Sequence, residues 1–523
     1  MAVKRSSKKS KSRAAEFLQK PRGVIHPRVQ KVGPEHFGIV CVDCAKARSK
    51  WMLTDFYGRV LVPPTEVAHN RVELAATVAQ VRAALIQHDL RDCLVAVERT
   101  GRYHHPMKNT FAQADFDTRL VHPYSTKQFR QPANPDNKTD DTDLAAMQRA
   151  AVNGFALQEA APSESWVQLQ LCIRHRRDLV RKCSALACQI RQHLDAALPG
   201  YAACFDKLWE SNVAFRLIRQ FGSAGALVEQ GVTGLCHYLR QEKVRFQERT
   251  LDTVVAWAKN AAAADIAGDL HRQIALANED DRARKTLEIT ALERDIAHRL
   301  VQTPYVLLMS FPGINVVSAA DFAGEMGPIE NYAHHRGITG RAGLFPSRYQ
   351  SDRVDHADGP LVRRANRALR AVILGIADNL MLCNVHFRQL AGLWKLAGKD
   401  PRKSHVKIAS RFCRIAYHMV AGRQVFRHPS LRERGYILDK LLAFHLEHQT
   451  PYEQSLRDLH LATAQIPIKE HAAEAEPLAE RMRTTRAFAK KGPQPLNEIL
   501  AIVLARLGVG ALPSIPSEEK DLT

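Results

Sequence analysis

Phe37-Gly38-Ile39-Val40-Cys41-Val42-Asp43 decides how the first third of the chain is read. An apolar run this short, ending in an acid, has the form of a buried strand that delivers one carboxylate to a sheet edge. Residues 51–57 form a second β-prone run, Gly58 a turn, and residues 59–62 a third run, which together predict a three-stranded meander. Residues 72–86 place Val72, Ala75, Ala76, Ala79 and Ala83 at helical spacing. Residues 93–98 (CLVAVE) repeat the opening pattern, a strand ending in Glu98. A short helix over 106–114 and a fifth strand over 118–121, closed by His122 and Pro123, come next. After a turn-rich stretch at 134–137, a helix is predicted from about Thr139 to Val152. The order β-β-β-α-β-α-β-α predicts a mixed sheet with helices packed on it.

The flanking regions are of other kinds. Residues 1–36 carry ten Lys and Arg, among them Arg28 and Lys31, against Glu16 and Glu35, and read as a basic disordered arm. Residues 161–304 are helical throughout. Long amphipathic runs over 169–198 and 285–301 stop at Pro199-Gly200 and Pro304, which suggests a coiled-coil arm for oligomerisation. A second compact region is expected over 305–424 and an extension of unreadable role over 425–523. With the sheet domain at 37–160, the fold class is α/β followed by mainly α.

Composition narrows the partners. Seventy-five Lys and Arg against 54 Asp and Glu leave a net charge of +21, which favours a polyanion, nucleic acid by default. No apolar run reaches the ~20 residues that span a bilayer. The ten cysteines are scattered and form no disulfide framework, so a reducing cytoplasm and no membrane are expected. No Walker-type loop is present, which argues against ATP-driven chemistry. Cys41 and Cys44 are spaced C-x-x-C, but in a strand they point to opposite faces, which disfavours zinc. The pair His104 and His105 reads as structural or exposed.

Four acids carry the chemistry. Asp43 and Glu98 end the first and fourth strands; Asp140 and Asp143 open the last helix at i and i+3, on one face, with Asp141 directed elsewhere. Singly, each is an ordinary turn former or helix-start acid. Together at one sheet edge they repel, raising one another's pKa or recruiting a cation. Hard oxygen ligands suit Mg2+ or Mn2+, and two such ions about 4 Å apart can clamp the attacking and leaving oxygens of a phosphodiester. This topology of acids is that of the ribonuclease-H-like, or RuvC-like, fold.

The motifs are more specific than the topology. Gly38 to Lys46 resembles the opening block of the insertion sequence one-ten family of transposases. Glu98-Arg99-Thr100-Gly101-Arg102-Tyr103 resembles its E-x-T-G-x-Y block, and Lys138-Thr139-Asp140-Asp141-Thr142-Asp143 its K-T-D-x-x-D block. The resemblance implies a DEDD nuclease domain with Asp43, Glu98, Asp140 and Asp143 as the metal-binding tetrad. Downstream, Phe311-Pro312-Gly313-Ile314 resembles the start of the family's C-terminal transposase domain and a helix-hairpin-helix turn, with Asn315, tolerant of left-handed dihedrals, in place of glycine. Residues 343–351 (GLFPSRYQS) resemble the block whose last serine, here Ser351, is the family's nucleophile, and residues 364–370 (RANRALR) resemble R-G-N-R-x-L-R.

Asp352 and Ala365 each replace a glycine of those blocks. By itself Ser351 is a loop serine before a basic helix; its neighbours Arg348, Arg353, Arg363, Arg364, Arg367 and Arg370 make it a phosphate-facing candidate. The resemblance further implies element-end and target DNA as substrates, a structured non-coding guide RNA, and a homo-oligomer (dimer or tetramer) in which one subunit's acids meet another's serine. Two alternatives share these residues: a site-specific invertase of the related Piv type, and a RuvC-like nuclease that uses water and forms no covalent link.

Overall fold

The computed structural model describes residues 23–133, 135–158, 163–351, 354–356, 359–429, 431, 435–470 and 473–474. The chain divides into two compact units, 1–161 and 162–523.

In the first unit, β1 (Phe37–Cys44), β2 (Arg48–Asp55), β3 (Val60–Ala68), β4 (Asp92–Glu98), β5 (Asp117–Val121) and β6 (Ala156–Leu157) form one sheet in the order β3-β2-β1-β4-β5-β6. β1, β2 and β3 are an antiparallel meander; β4 lies parallel to β1, and β5 parallel to β4. This is the expected ribonuclease-H-like mixed sheet. The alternation of β1 splits its residues between two cores. Val40, Val42 and Cys44 pack with Val78, Val81, Met107 and Phe111 from the helices Arg71–Gln87 and His105–Gln113. Phe37, Ile39 and Cys41 pack on the other face with Leu144, Met147 and Ala151 of the helix Asp140–Val152. Cys41 and Cys44 therefore sit in opposite cores.

Three elements differ from the sequence reading. β3 runs through Pro63 and Pro64, where a stop was expected, because it is the sheet edge and need not donate outward. Pro123, expected to close β5, begins a helix, Pro123–Arg130; proline at the first helical position forfeits only an N–H that a helix start leaves unpaired. Residues 23–36, expected within the disordered arm, are folded onto the sheet. The helix His26–Val32 buries Val29 beside Ile25, and Arg28 bonds Asp92 and Asp117. The remainder of that arm, residues 1–22, lies outside the described residues.

In the second unit, the helices Glu164–Ala197 and Gly268–Leu300 run antiparallel, as the pairs Arg176–Glu293 (2.6 Å) and His193–His271 (2.7 Å) show. At one end they carry a small helical module with its own core around Tyr201, Leu217, Leu235 and Leu251. At the other end Leu169, Ile173, Ile296 and Leu300 share a core with Tyr305, Phe311, Phe322 and Phe412, and with Leu441 and Leu459 of the helices Ile437–Glu447 and Tyr452–Gln465. One core thus runs across the positions 304 and 424. Pro304 ends a helix but not its core, and the extension packs against what precedes it. Lys440 ties it in further, donating to the carbonyls of Met309 (2.6 Å), Phe311 (2.6 Å) and Ile314 (3.0 Å).

The hairpin-like turn also has its own form. A 3-10 segment, Pro304–Ser310, precedes it and the helix Val316–Met326 follows. Gly313 has φ +95°, and a Cβ there would meet Asn379 O at 3.0 Å, so glycine is required for the close approach to the helix Arg367–Cys383. Asn315 is extended, at φ −105°, not left-handed; it caps the following helix through Ser318 N (2.9 Å). Among the described residues no single helix is long and apolar enough to cross a membrane.

Candidate active site

The parity of two strands brings the acids together. Asp43 continues the Phe37, Ile39, Cys41 series of β1, and Glu98 continues the Leu94, Ala96 series of β4, so both face the helix Asp140–Val152. β1 and β4 pair Val42 with Val97, which leaves Asp43 and Glu98 level at the next step. The helix begins beside them through a capping box between Thr139 and Thr142, which sets Asp140 and Asp143 in its first turn. Burial pushes the Asp43 carboxyl up to about 7, and the charges of Glu98, Asp140 and Asp143 push the same way. All four predicted acids are therefore electrostatically one cluster.

Their surroundings differ. Asp43 and Glu98 are half-buried and hydrogen-bonded to each other, and Thr100 Oγ1 donates to Glu98 Oε2 at 3.1 Å. Asp140 is exposed. Asp143 is buried and takes a hydrogen bond from Arg130 Nη1. Asp141 turns away to Lys50 Nζ at 2.6 Å, as its position on the helix requires. Arg130 is a residue that sequence reasoning passed over. It lies 13 positions before Asp143, at the end of a helix that the reading did not contain, and no spacing signals it.

The donor set fits a divalent cation. Carboxylate oxygens are hard ligands, and Asp43 resists ionisation until some positive charge offsets its neighbours. Among the described residues no three side chains already surround one point at ligand distance. The acids close instead on one another and on Arg130.

In the second unit Ser351 is exposed at the end of a short hairpin, β7 (Tyr349–Ser351) with β8 (Val354–His356), where it pairs with Val354. Asp352 and Arg353 lie outside the described residues. Ser347 closes the base of the loop, its Oγ donating to Pro360 O at 3.0 Å and its amide to the same oxygen at 2.9 Å. Arg348 precedes the hairpin. Arg363, Arg364 and Arg367 are exposed, and Arg363, Arg367 and Arg370 line an open hollow of ≈ 570 Å³. Arg370 is committed to the loop, donating from Nε to Ala342 O at 2.8 Å and from Nη2 to Val362 O. Gly343 makes this possible: its φ is +62°, and a Cβ there would strike Arg370 Nη2 at 2.5 Å and Ala365 Cβ at 2.7 Å.

A buried carboxylate supports this region. Glu325 takes two hydrogen bonds from Arg174 (3.1 and 3.0 Å) and one each from Arg177 (2.7 Å) and Asn366 (3.1 Å). Burial pushes its pKa up, but these donors outweigh it and hold the carboxyl at about 2. Asn366 in turn caps the helix Arg367–Cys383 through Leu369 N at 3.0 Å.

Comparison with known proteins finds two family domains. Residues 40–199 match the model of a DEDD transposase domain of the IS110 type. Residues 305–391 match that of transposases of the IS116/IS110/IS902 family. No curated protein matches the chain. Both domains of IS110-type transposases are thus present and in order, which makes the chain a DNA-transposing enzyme that acts on phosphodiester bonds.

Proposed function

We propose that this transposase cuts and rejoins DNA through its acid cluster and a covalent link to Ser351. The observation that carries the reading is the convergence of Asp43, Glu98, Asp140 and Asp143 on one sheet edge. Mg2+ or Mn2+ held by these oxygens supplies the positive charge that a phosphodiester needs before it accepts a nucleophile. Asp43 and Glu98 are set by adjacent strands, Asp140 reaches from the helix start, and Arg130 keeps Asp143 in place. Ser351 Oγ attacks phosphorus, the P–O bond to the leaving sugar oxygen breaks, the serine proton passes to solvent, and the leaving oxygen takes a proton from solvent to become a free hydroxyl. Arg348, Arg363, Arg364 and Arg367, with Arg353 outside the described residues, hold the flanking phosphates.

A guide RNA pairing with element-end and target DNA, and a homo-oligomer (dimer or tetramer), belong to the same reading. They rest on the resemblance of the motifs and on the charge of +21.

End-labelled element DNA on a denaturing gel tests it. Wild-type protein should yield a protein–DNA adduct in Mg2+, and Ser351→Ala should bind DNA without forming one. Ser347→Ala, which removes a loop hydrogen bond and leaves Ser351, should keep the adduct. Cleavage by Ser351→Ala with no adduct in any variant would hand the chemistry to water, as in a RuvC-like nuclease.

A further inference from the structure

Beyond residue 391, where the family match ends, the chain builds a second basic surface. Residues 401–428 carry seven Lys or Arg and no Asp or Glu. The helix Pro401–Ala421 sets Lys407, Arg411, Arg414 and His418 at i, i+4, i+7 and i+11, one stripe along its length. Arg423 and Arg427, on the segment that follows, share a cleft lining with Arg414 and His418. Residues 467–470, after the helix Tyr452–Gln465, form the opposite wall.

Between these walls lies a cleft of ≈ 750 Å³. Arg414, His418, Arg423, Arg427, His428 and Lys469 line it. One carboxylate, Glu470, shares it and pairs with Arg427. Four Lys and Arg against that single acid leave the lining at 4 − 1 = +3 before any histidine is protonated. Arg414, Arg423, Arg427 and Lys469 are exposed, so their charges face the solvent that a ligand would displace. The His386 and His428 rings lie 4.0 Å apart, tilted by 31°, and Ile468 is 79% exposed.

We propose that this cleft binds single-stranded nucleic acid, separately from the arginines around Ser351. Three features select that ligand. Exposed cations from three separate segments (Arg414 on the helix, Arg423 and Arg427 after it, Lys469 beyond the helix Tyr452–Gln465) share the lining, enough to meet more than one phosphate. Imidazole faces and an exposed isoleucine offer bases an apolar, sequence-tolerant contact. The cleft is also concave and of the size that encloses a small molecule, which for a nucleic acid means one or two unpaired nucleotides and not a duplex. Arg363 and Arg367 by contrast line a smaller, open hollow of ≈ 570 Å³. RNA and DNA single strands share this chemistry.

The test uses the full chain with Arg414, Arg423 and Lys469 all changed to Gln, leaving the Arg427–Glu470 pair intact. Fluorescence anisotropy against salt is read with labelled oligo(U), oligo(dT) and a duplex of equal length. Three lost phosphate contacts should weaken single-strand binding roughly tenfold or more and reduce the salt slope by about two units, with duplex binding little changed. The arm that falls further, oligo(U) or oligo(dT), identifies the sugar the cleft takes. Unchanged single-strand affinity and slope would overturn the proposal, as would a parallel fall with duplex. Exchange of the three residues for the opposite basic residue (Arg414→Lys, Arg423→Lys, Lys469→Arg) should restore binding, which separates lost charge from misfolding. Failure of the wild-type protein to form a DNA adduct would sink the serine chemistry and leave this single-strand binding result standing.

Discussion

Arg130, at the end of one helix, donates a hydrogen bond to Asp143, in the first turn of the next, and both side chains are buried. The pair gives the acid cluster an internal counter-ion. It also means that a cation engaging Asp143 works beside a guanidinium or displaces it.

Replacing Arg130 by Gln should therefore have a metal-dependent cost. Removing one partner of a buried pair leaves the other charge uncompensated, about 3 kcal/mol in chelator. Added Mg2+ should recover much of that loss, since a cation can take the guanidinium's place. Urea denaturation with and without Mg2+ reads both values. An equal loss in the two conditions would remove Asp143 from the metal set.

Asp43 presents the reverse case. Its carboxyl is held at about 7 by burial and by three acidic neighbours, so ionising it costs the folded state free energy. Asp43→Asn should abolish DNA cleavage yet raise the melting temperature in chelator at pH 8. A variant that is inactive and also less stable would mean that Asp43 holds the fold, not the cation.

The arginines near Ser351 should separate into two kinds. Changing Arg363, Arg364 and Arg367 together to Gln should lower the salt slope of duplex binding by up to about three units. Arg370→Gln should leave the slope nearly unchanged and destabilise the second unit by about 1–3 kcal/mol, because its donors serve Ala342 O and Val362 O. A slope change from Arg370→Gln as large as that from Arg367→Gln would contradict this division.

Glu325 supplies a pH signature. Its carboxyl is held at about 2, below the ordinary 4.5, so the stability it contributes is fully present above about pH 4.5. That contribution is lost as pH falls through about 2. Glu325→Gln should cost about 2–3 kcal/mol at pH 7, less than a fully buried pair because Arg174 is 51% exposed. The gap between variant and wild type should close on acidification from pH 4.5 to 2. A gap that stays constant over that range would show that the charge of Glu325 is not what matters.

The module at the far end of the long helices can be removed cleanly. Asp265 N donates to Ala196 O at 2.9 Å, so the two helices already meet where the module leaves them. Deleting residues 201–259 and bridging the ends should leave a folded second unit, since the shared core lies at the opposite end. If the module mediates assembly, light scattering should then report a monomer. A wild type that is monomeric with and without nucleic acid would count against an arm for assembly.

Much of the acid cluster was legible because its causes are local. An apolar run ending in Asp43, a second ending in Glu98, and two acids at i and i+3 of a helix start each follow from strand or helix periodicity over fewer than ten residues. Arg130 was not legible, because Pro123 signals a stop and a helix start equally well until the hydrogen bonds around it are known. Asn315 likewise suits a left-handed turn or an N-cap, and only the hydroxyl of Ser318, in place to accept from its amide at 3.0 Å, decides.

What the sequence determined by itself was the ribonuclease-H-like sheet, the order of its acids and the kinship of its motifs, all carried by short-range pattern. Which residues share a core and which charges meet depended on the closed chain. Leu169, Tyr305, Phe412 and Leu459 belong to one interior although nearly 300 positions separate the first from the last. Arg174 and Glu325 pair across 151 positions. Periodicity assigns a side chain to a face, but what covers that face depends on packing between distant segments, and that is settled only when the chain has closed on itself.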